Sequence, residues 1–102
     1  MQKKIWQVHD FINECHRVAI EKGWWDEERN DGELIALMHS ELSEALEAMR
    51  NHGTKDEIAE ELADCCIRIF DYCGARGIDL EKTLRKKIEY NKTRPYRHGK
   101  KF

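Results

Sequence analysis

Apolar residues recur at helical spacing in four segments of the chain, and the strict alternation typical of strands is absent. In the first segment, residues 4–22, the apolar positions step by three or four, which is the period of one helix face. These positions are Ile5, Val8, Ile12, Cys15 and Ala19. Gly23 ends this segment. The pattern predicts an all-α fold, a helical bundle of about four helices.

Capping residues and glycines delimit the second and third predicted helices. The second covers residues 31–51 and follows Asn30, in an Asn-x-x-Glu pattern that resembles a capping box. The third begins after Thr54, in a Thr-x-x-Glu capping pattern. It is expected to end near Gly74 and Gly77.

The fourth predicted helix begins near Asp79, a suitable N-cap residue, and must stop before Pro95. Beyond it, residues 95–102 form a basic tail that we expect to be loosely ordered. No repeat, linker or low-complexity segment divides the chain. Residues 1–102 are therefore expected to form a single domain.

Composition indicates where in the cell the protein is expected to function. Charged residues make up 37% of the 102 residues and hydrophobic residues 40%, and no apolar run approaches the length of a membrane span. The N-terminal residues do not resemble a signal peptide. We therefore expect a cytoplasmic protein without membrane contact. A chain of this length has a thin core, which favours completion of the bundle by oligomerisation.

The cysteines do not form a metal-binding or disulfide pattern. None of the four belongs to a Cys-x-x-Cys pair, and two are adjacent. They are Cys15, Cys65, Cys66 and Cys73. The interpretation we prefer is that they are reduced and act as small core residues.

Carboxylates occupy unusual positions on the second and third helices. A helical wheel places Glu41 inside the apolar arc of the second helix and Glu44 at its rim. On the third helix Glu61 lies at the rim and Asp64 further round. A carboxylate that points into a core is costly unless it is paired, protonated or bound to a metal. Convergent carboxylates suit Mg²⁺ or Mn²⁺, although pairs at this spacing are also common on solvated faces.

Basic residues dominate the end of the chain. Nine of the 18 Lys and Arg residues follow residue 81, against one acid. Lys87 and Asn91 share the apolar face of the fourth helix, and Arg94 falls on the same side. These three form a donor set suited to phosphates. The alternative is that the lysine extends to water from an apolar face.

The acidic and basic residues together resemble a known family. The two acidic motifs are similar to the Glu-x-x-Glu and Glu-x-x-Asp signature of the all-α nucleotide pyrophosphohydrolases, and the basic end resembles that of the small MazG-like proteins. The motifs are Glu41-Leu-Ser-Glu44, Glu61-Leu-Ala-Asp64, Lys87, Asn91, Arg94-Pro95 and His98-Gly99.

This resemblance implies a reaction and a ligand set. The reaction is Mg²⁺-dependent hydrolysis of a nucleoside triphosphate to the monophosphate and pyrophosphate, with Mn²⁺ as a substitute and nucleotide-pool cleansing as a role. The implied metal ligands and catalytic residues are Glu41, Glu44, Glu61 and Asp64. Many members carry a further Glu where this chain has Ser40, which leaves the four-ligand set intact.

Aromatic and histidine residues are candidates for the base pocket. Stacking or edge contacts with a base are expected from His9, Trp24, Trp25 and His39, with Trp6 as a further candidate. The two adjacent tryptophans lie in a predicted polar loop. Each of these residues is equally compatible with a place in the core or in an interface.

Two other classes of protein are alternatives to the enzyme interpretation. A non-enzymatic helical interaction module would use the basic tail to contact nucleic acid, a partner we do not otherwise expect. A redox di-metal bundle needs Glu-x-x-His motifs, which this chain lacks. We favour the enzyme, acting as a homo-oligomer that is a dimer or a tetramer.

Overall fold

A computed structural model describes residues 4–102 of the chain. Residues 1–3, which belong to the predicted single domain and to the N-terminus that does not resemble a signal peptide, lie outside the described residues. Four α-helices are followed by one short 3-10 turn, and the described residues contain no strand. The elements are α1 (Val8–Glu21), α2 (Asp31–Arg50), α3 (Lys55–Arg76), α4 (Leu80–Thr93) and the turn Tyr96–Gly99. The predicted all-α class is confirmed.

The first helix begins later than its apolar pattern predicted. α1 starts at Val8 instead of residue 4, because the backbone N–H of Gln7 donates a hydrogen bond to Asp10 Oδ2 at 2.8 Å and caps the helix there. Ile5 lies before this cap and is 85% exposed. Its helical spacing from Val8 was therefore coincidental.

The other three helices start where the sequence predicted. In each, the N-cap side chain accepts a hydrogen bond from the backbone N–H three residues later, at 3.1–3.2 Å. The acceptor and donor residues are Asn30 and Glu33 in α2, Thr54 and Glu57 in α3, and Asp79 and Lys82 in α4. These bonds satisfy backbone donors that a helix start otherwise leaves unpaired.

α3 is the central helix, since it packs against both α1 and α2, whereas α4 makes a smaller contact with α1. α3 passes through Gly74 and ends at Arg76, followed by Gly77 with φ +66°. A Cβ at Gly74 would lie 2.7 Å from His16 Cβ, so this glycine permits the close approach of α1.

The core is thin, as the length of the chain predicts. Among residues 4–102, five hydrophobic residues are buried, and they are small or medium in size. They are Ile12, Leu34, Ala45, Cys65 and Cys73. Burial raises the pKa of the Cys65 and Cys73 thiols, which keeps them protonated. Both therefore act as small core residues, and all four cysteines are free.

Among residues 4–102, no helix has the length and apolar character needed to cross a membrane. The tail carries only the turn Tyr96–Gly99, in which Arg97 and His98 adopt positive φ angles. Its side chains are exposed.

Candidate metal and nucleotide site

Glu41 lies in the middle of α2 and is only 7% exposed. Its buried position agrees with the helical wheel, which placed it inside the apolar arc. The guanidinium of Arg68, on α3, donates a hydrogen bond from Nε to Glu41 Oε1 at 2.7 Å. This ion pair offsets part of the cost of burying the carboxylate.

Two carboxylates of α3 converge on Glu41. One oxygen from each of Glu41, Glu61 and Asp64 lies within 4.8 Å of the other two, and we call these three residues the acidic cluster. Glu61 Oε2 is buried and has no hydrogen-bond partner among the described residues. A buried oxygen without a partner is costly, so the cluster is incomplete as a purely structural feature.

Glu44, one turn after Glu41, stands at the exposed edge of the acidic cluster. A side-chain hydrogen bond with Glu61 raises the pKa of Glu44, and the negative charges of Glu41 and Glu61 raise it further. Glu44 therefore lies close enough to interact electrostatically with the carboxylates of the acidic cluster, and negative charge is concentrated there.

The donor set fits a divalent cation. Carboxylate oxygens are the ligands that Mg²⁺ and Mn²⁺ prefer, and three or four of them supply more negative charge than one arginine offsets. The unpartnered oxygen of Glu61 is a position that a cation would satisfy.

A cavity of about 350 Å³ adjoins the acidic cluster. Glu41 and Asp64 contribute to its wall, together with Trp24, Arg29 and Arg68. Aliphatic side chains of α1 and α3 line much of the remainder. A volume of this order is typical of pockets for small ligands, and its mixed apolar and charged lining suits a ligand with both characters.

The loop before α2 is fastened to α3 by a buried carboxylate. Trp25 Nε1 donates to Asp71 Oδ1 at 2.9 Å and approaches Oδ2 at 3.2 Å. His16 Nδ1 lies 2.8 Å from Asp71 Oδ1, and its ring meets Trp25 edge-on. Arg29 Cζ lies 5.8 Å from the Trp24 ring centroid and 5.2 Å from that of Trp25. These contacts fix the loop that forms one wall of the cavity.

The four candidates for the base pocket are dispersed. Trp24 lines the cavity and is 60% exposed, whereas Trp25 is engaged with Asp71. His9 is bonded to Glu81 Oε2 at 2.9 Å, where α1 meets α4. His39 is exposed on α2 and does not line the cavity. Of the four, only Trp24 both lines the cavity that adjoins the acidic cluster and is largely exposed.

The predicted phosphate-binding residues do not line the cavity that adjoins the acidic cluster. Lys87 and Asn91 are exposed, and neither they nor Arg94 line the cavity. Lys87 Nζ lies 5.2 Å from the ring centroid of Tyr90, and Arg94 Cζ lies 5.5 Å from it. Within one chain Lys87 and Asn91 do not point inward as the sequence predicted, because they are exposed and the main contact of α4 is with α1.

Arg68 and Asp71 are site residues that the sequence analysis missed. With Glu61 and Asp64 they fall at i, i+3, i+7 and i+10 of α3, which is one continuous helix face. That spacing could have indicated that Arg68 and Asp71 share a helix face with Glu61 and Asp64. It could not reveal that Asp71 is buried and bonded to a loop 46 residues away.

The four-helix bundle holds a cluster of three carboxylates next to a cavity, and such a cluster is suited to a divalent cation. The family model for phosphoribosyl-ATP pyrophosphohydrolase (PRA-PH) matches residues 7–91, and the chain belongs to this MazG-like all-α family. It is accordingly a pyrophosphohydrolase that acts on a nucleotide phosphoanhydride. No curated protein and no solved structure matches the chain.

Proposed function

We propose that the protein hydrolyses a nucleoside triphosphate to the monophosphate and pyrophosphate, with Mg²⁺ as cofactor and Mn²⁺ as a substitute. The observation that carries this proposal is the acidic cluster, in which three carboxylates converge and Glu61 Oε2 is buried without a partner among the described residues. Family membership supports the reaction class. A role in removing unwanted nucleotides from the cellular pool is consistent with it.

Glu41, Glu61 and Asp64 would hold the cation, and Glu44 would complete the set from its exposed edge. When bound, Mg²⁺ supplies positive charge that offsets the phosphate charge and favours deprotonation of the attacking water. The chain contributes the position of its carboxylates. Glu41 is fixed by burial in α2, and Glu61 and Asp64 stand on adjacent turns of α3.

The cavity would hold the nucleoside. Trp24 offers an aromatic face for the base, because its side chain is exposed and has no hydrogen bond in the described structure. Arg29 lies against that ring and adds positive charge to the wall. A base on Trp24 would leave the phosphates near Glu41 and Asp64 at the other part of the wall.

A homo-oligomer would cover an apolar surface that the single chain leaves exposed. Four apolar residues at i, i+7, i+11 and i+14 of α2 form a largely exposed line, which we call the α2 stripe. They are Ile35, Leu42, Leu46 and Met49. An exposed apolar line of this length is typical of an interface. We propose that a second copy covers it, in a dimer or a tetramer.

In such an assembly, α4 of a neighbouring copy would bring Lys87, Asn91 and Arg94 to the acidic cluster. The exposure of Lys87 and Asn91 within one chain leaves them available for this role. Light scattering of Leu46→Lys tests the interface, and Ile20→Lys, a similarly exposed position on α1, is the matched control. Dissociation by Leu46→Lys alone is expected. An active wild-type monomer would contradict the proposal.

Mixing two impaired variants tests whether the site is shared. Glu61→Gln lacks a metal ligand and Lys87→Ala lacks a phosphate contact, so hybrid oligomers formed from both would contain some complete sites. Partial recovery of activity on mixing is expected. No recovery, although subunits exchange, would place both residues in the site of one chain.

The reaction itself is tested by assaying pyrophosphate release across a nucleotide panel with Mg²⁺, Mn²⁺ or EDTA. The panel contains canonical, deoxy and modified triphosphates, and phosphoribosyl-ATP because the family bears that name. Metal-dependent pyrophosphate from at least one triphosphate is expected. Inactivity throughout, with salt-sensitive binding of nucleic acid, would favour the interaction module. We place the enzyme in the cytoplasm, where nucleotides are available and reduced cysteines persist.

A further inference from the structure

Arg68 connects the acidic cluster with the cavity. It follows Glu61 by seven residues and Asp64 by four, so it shares their face of α3. Its Nε lies 2.7 Å from Glu41 Oε1, and its side chain is 33% exposed and contributes to the cavity wall. The guanidinium can therefore reach a carboxylate in the cluster and a ligand in the cavity.

A cation bound in the acidic cluster would weaken the attraction between Arg68 and Glu41. In the described structure Arg68 is the basic residue that pairs with Glu41, and without it a buried carboxylate would be uncompensated. A divalent cation bound by Glu41, Glu61 and Asp64 would compete for the same carboxylate. It would also repel the guanidinium across a short distance.

We propose that Arg68 exchanges partners when the enzyme binds its ligands, an inference that rests on the proposed function. In the metal-free protein Arg68 neutralises Glu41. When the cation takes Glu41, the guanidinium turns into the cavity and donates hydrogen bonds to the phosphates of the nucleotide. A guanidinium suits both partners, because its planar donors match carboxylate and phosphate geometry.

The first test removes the guanidinium and measures metal binding without nucleotide. Mn²⁺ is titrated calorimetrically into wild type, Arg68→Met and Arg76→Met. Arg76 is the matched control, because its Nε also reaches from α3 to a carboxylate of α2, Asp31, at 2.7 Å, but away from the cluster. Arg68→Met should bind Mn²⁺ more tightly by roughly threefold or more, since a competing cation is gone. Arg76→Met should bind it as wild type does.

The second test measures nucleotide binding. An α,β-imido nucleoside triphosphate is titrated in the presence of saturating Mn²⁺. Arg68→Met should bind the analogue roughly tenfold more weakly, the loss expected of one charge-assisted hydrogen bond. Arg68→Lys keeps the charge without the planar donors. It should fall between wild type and Arg68→Met in both titrations, and it preserves the test if Arg68→Met does not fold.

Opposite changes in the two affinities support the exchange. Parallel weakening of both would mean that Arg68 only positions Glu41, and unchanged affinities would mean that it does neither, so either result overturns the inference. If the wild-type protein binds no Mn²⁺, this result would overturn the proposed function as well. Wild type that binds Mn²⁺ and releases pyrophosphate, with no effect of Arg68→Met on Mn²⁺ affinity, would remove only the role of Arg68.

Discussion

Trp25 donates its indole N–H to the buried carboxylate of Asp71, at 2.9 Å from Oδ1, and this bond joins the loop before α2 to α3. The preceding residue, Trp24, forms no such bond and is 60% exposed at the cavity. Two adjacent tryptophans therefore have different tasks. Trp25 fixes the loop, and Trp24 presents a face to the ligand.

Trp25→Phe should destabilise the protein by about 1–3 kcal/mol, because a buried carboxylate loses a hydrogen-bond donor. Trp24→Ala should change stability little and raise KM roughly fivefold to a hundredfold, the effect of losing one base–aromatic stack. Urea unfolding and steady-state kinetics measure the two effects. A large stability loss in Trp24→Ala with unchanged KM would reverse the assignment.

The helices and the acidic residues were predictable because their signals are local. The N-caps Asn30, Thr54 and Asp79 bond to residues three positions away, so sequence spacing contains the whole geometry. The burial of Glu41 likewise follows from one helical wheel.

The features that could not be predicted depend on how the helices pack. The Trp25–Asp71 and Arg68–Glu41 contacts join residues 46 and 27 positions apart. The position of α4 also depends on helix packing, because the amphipathic face of α4 does not specify which helix it packs against. The wheel of α4 was therefore insufficient to orient Lys87.

Gly74→Ala should destabilise the protein by up to about 2 kcal/mol. Ala is favoured over Gly in a helix by about 1 kcal/mol, but overpacking costs about 1–3 kcal/mol. The clash should prevail, because the added Cβ would lie 2.7 Å from His16 Cβ and 3.3 Å from the Ile12 carbonyl oxygen, neither of which can rotate away. Denaturant unfolding measures the change. A stabilised Gly74→Ala would show that α1 and α3 are not in such close contact.

The His9 contact with Glu81 should make stability depend on pH. A hydrogen bond with Glu81 raises the pKa of His9, and the negative charges of Asp10 and Glu81 raise it further, against the opposing effects of desolvation and of the positive charge of Lys4. Because the folded-state pKa is raised, the stabilisation is complete below about 6.5, the unfolded value, and is lost as pH rises through the folded value.

His9→Gln should therefore lower the melting temperature at pH 5.5 and have a smaller effect at pH 8.5. Thermal unfolding of both proteins across this range measures the difference. A difference that stays constant with pH would mean that the protonated form of His9 contributes nothing to the α1–α4 contact.

Lys87→Ala should weaken binding of an α,β-imido triphosphate roughly tenfold to a hundredfold, because a charge-assisted bond to phosphate is lost. Its Mn²⁺ affinity without nucleotide should be nearly unchanged, since metal and phosphate contacts are separate. Lys86→Ala is the control for the loss of one charge at the adjacent position of α4. Equal effects of the two variants in calorimetry would indicate general electrostatic attraction instead of a specific contact.

The acidic cluster is proposed to hold the cation that supports pyrophosphate release. The rate of pyrophosphate formation during Mg²⁺ titration of wild type, Glu61→Gln and Glu60→Gln tests this role directly. Glu60 is the matched control, because it is the adjacent carboxylate on α3 and is exposed. We expect Glu61→Gln to lose at least about a hundredfold in rate, since a bound metal contributes several kcal/mol to catalysis, and Glu60→Gln to resemble wild type. Orthophosphate and a diphosphate as products, or equal losses in the two variants, would contradict the account.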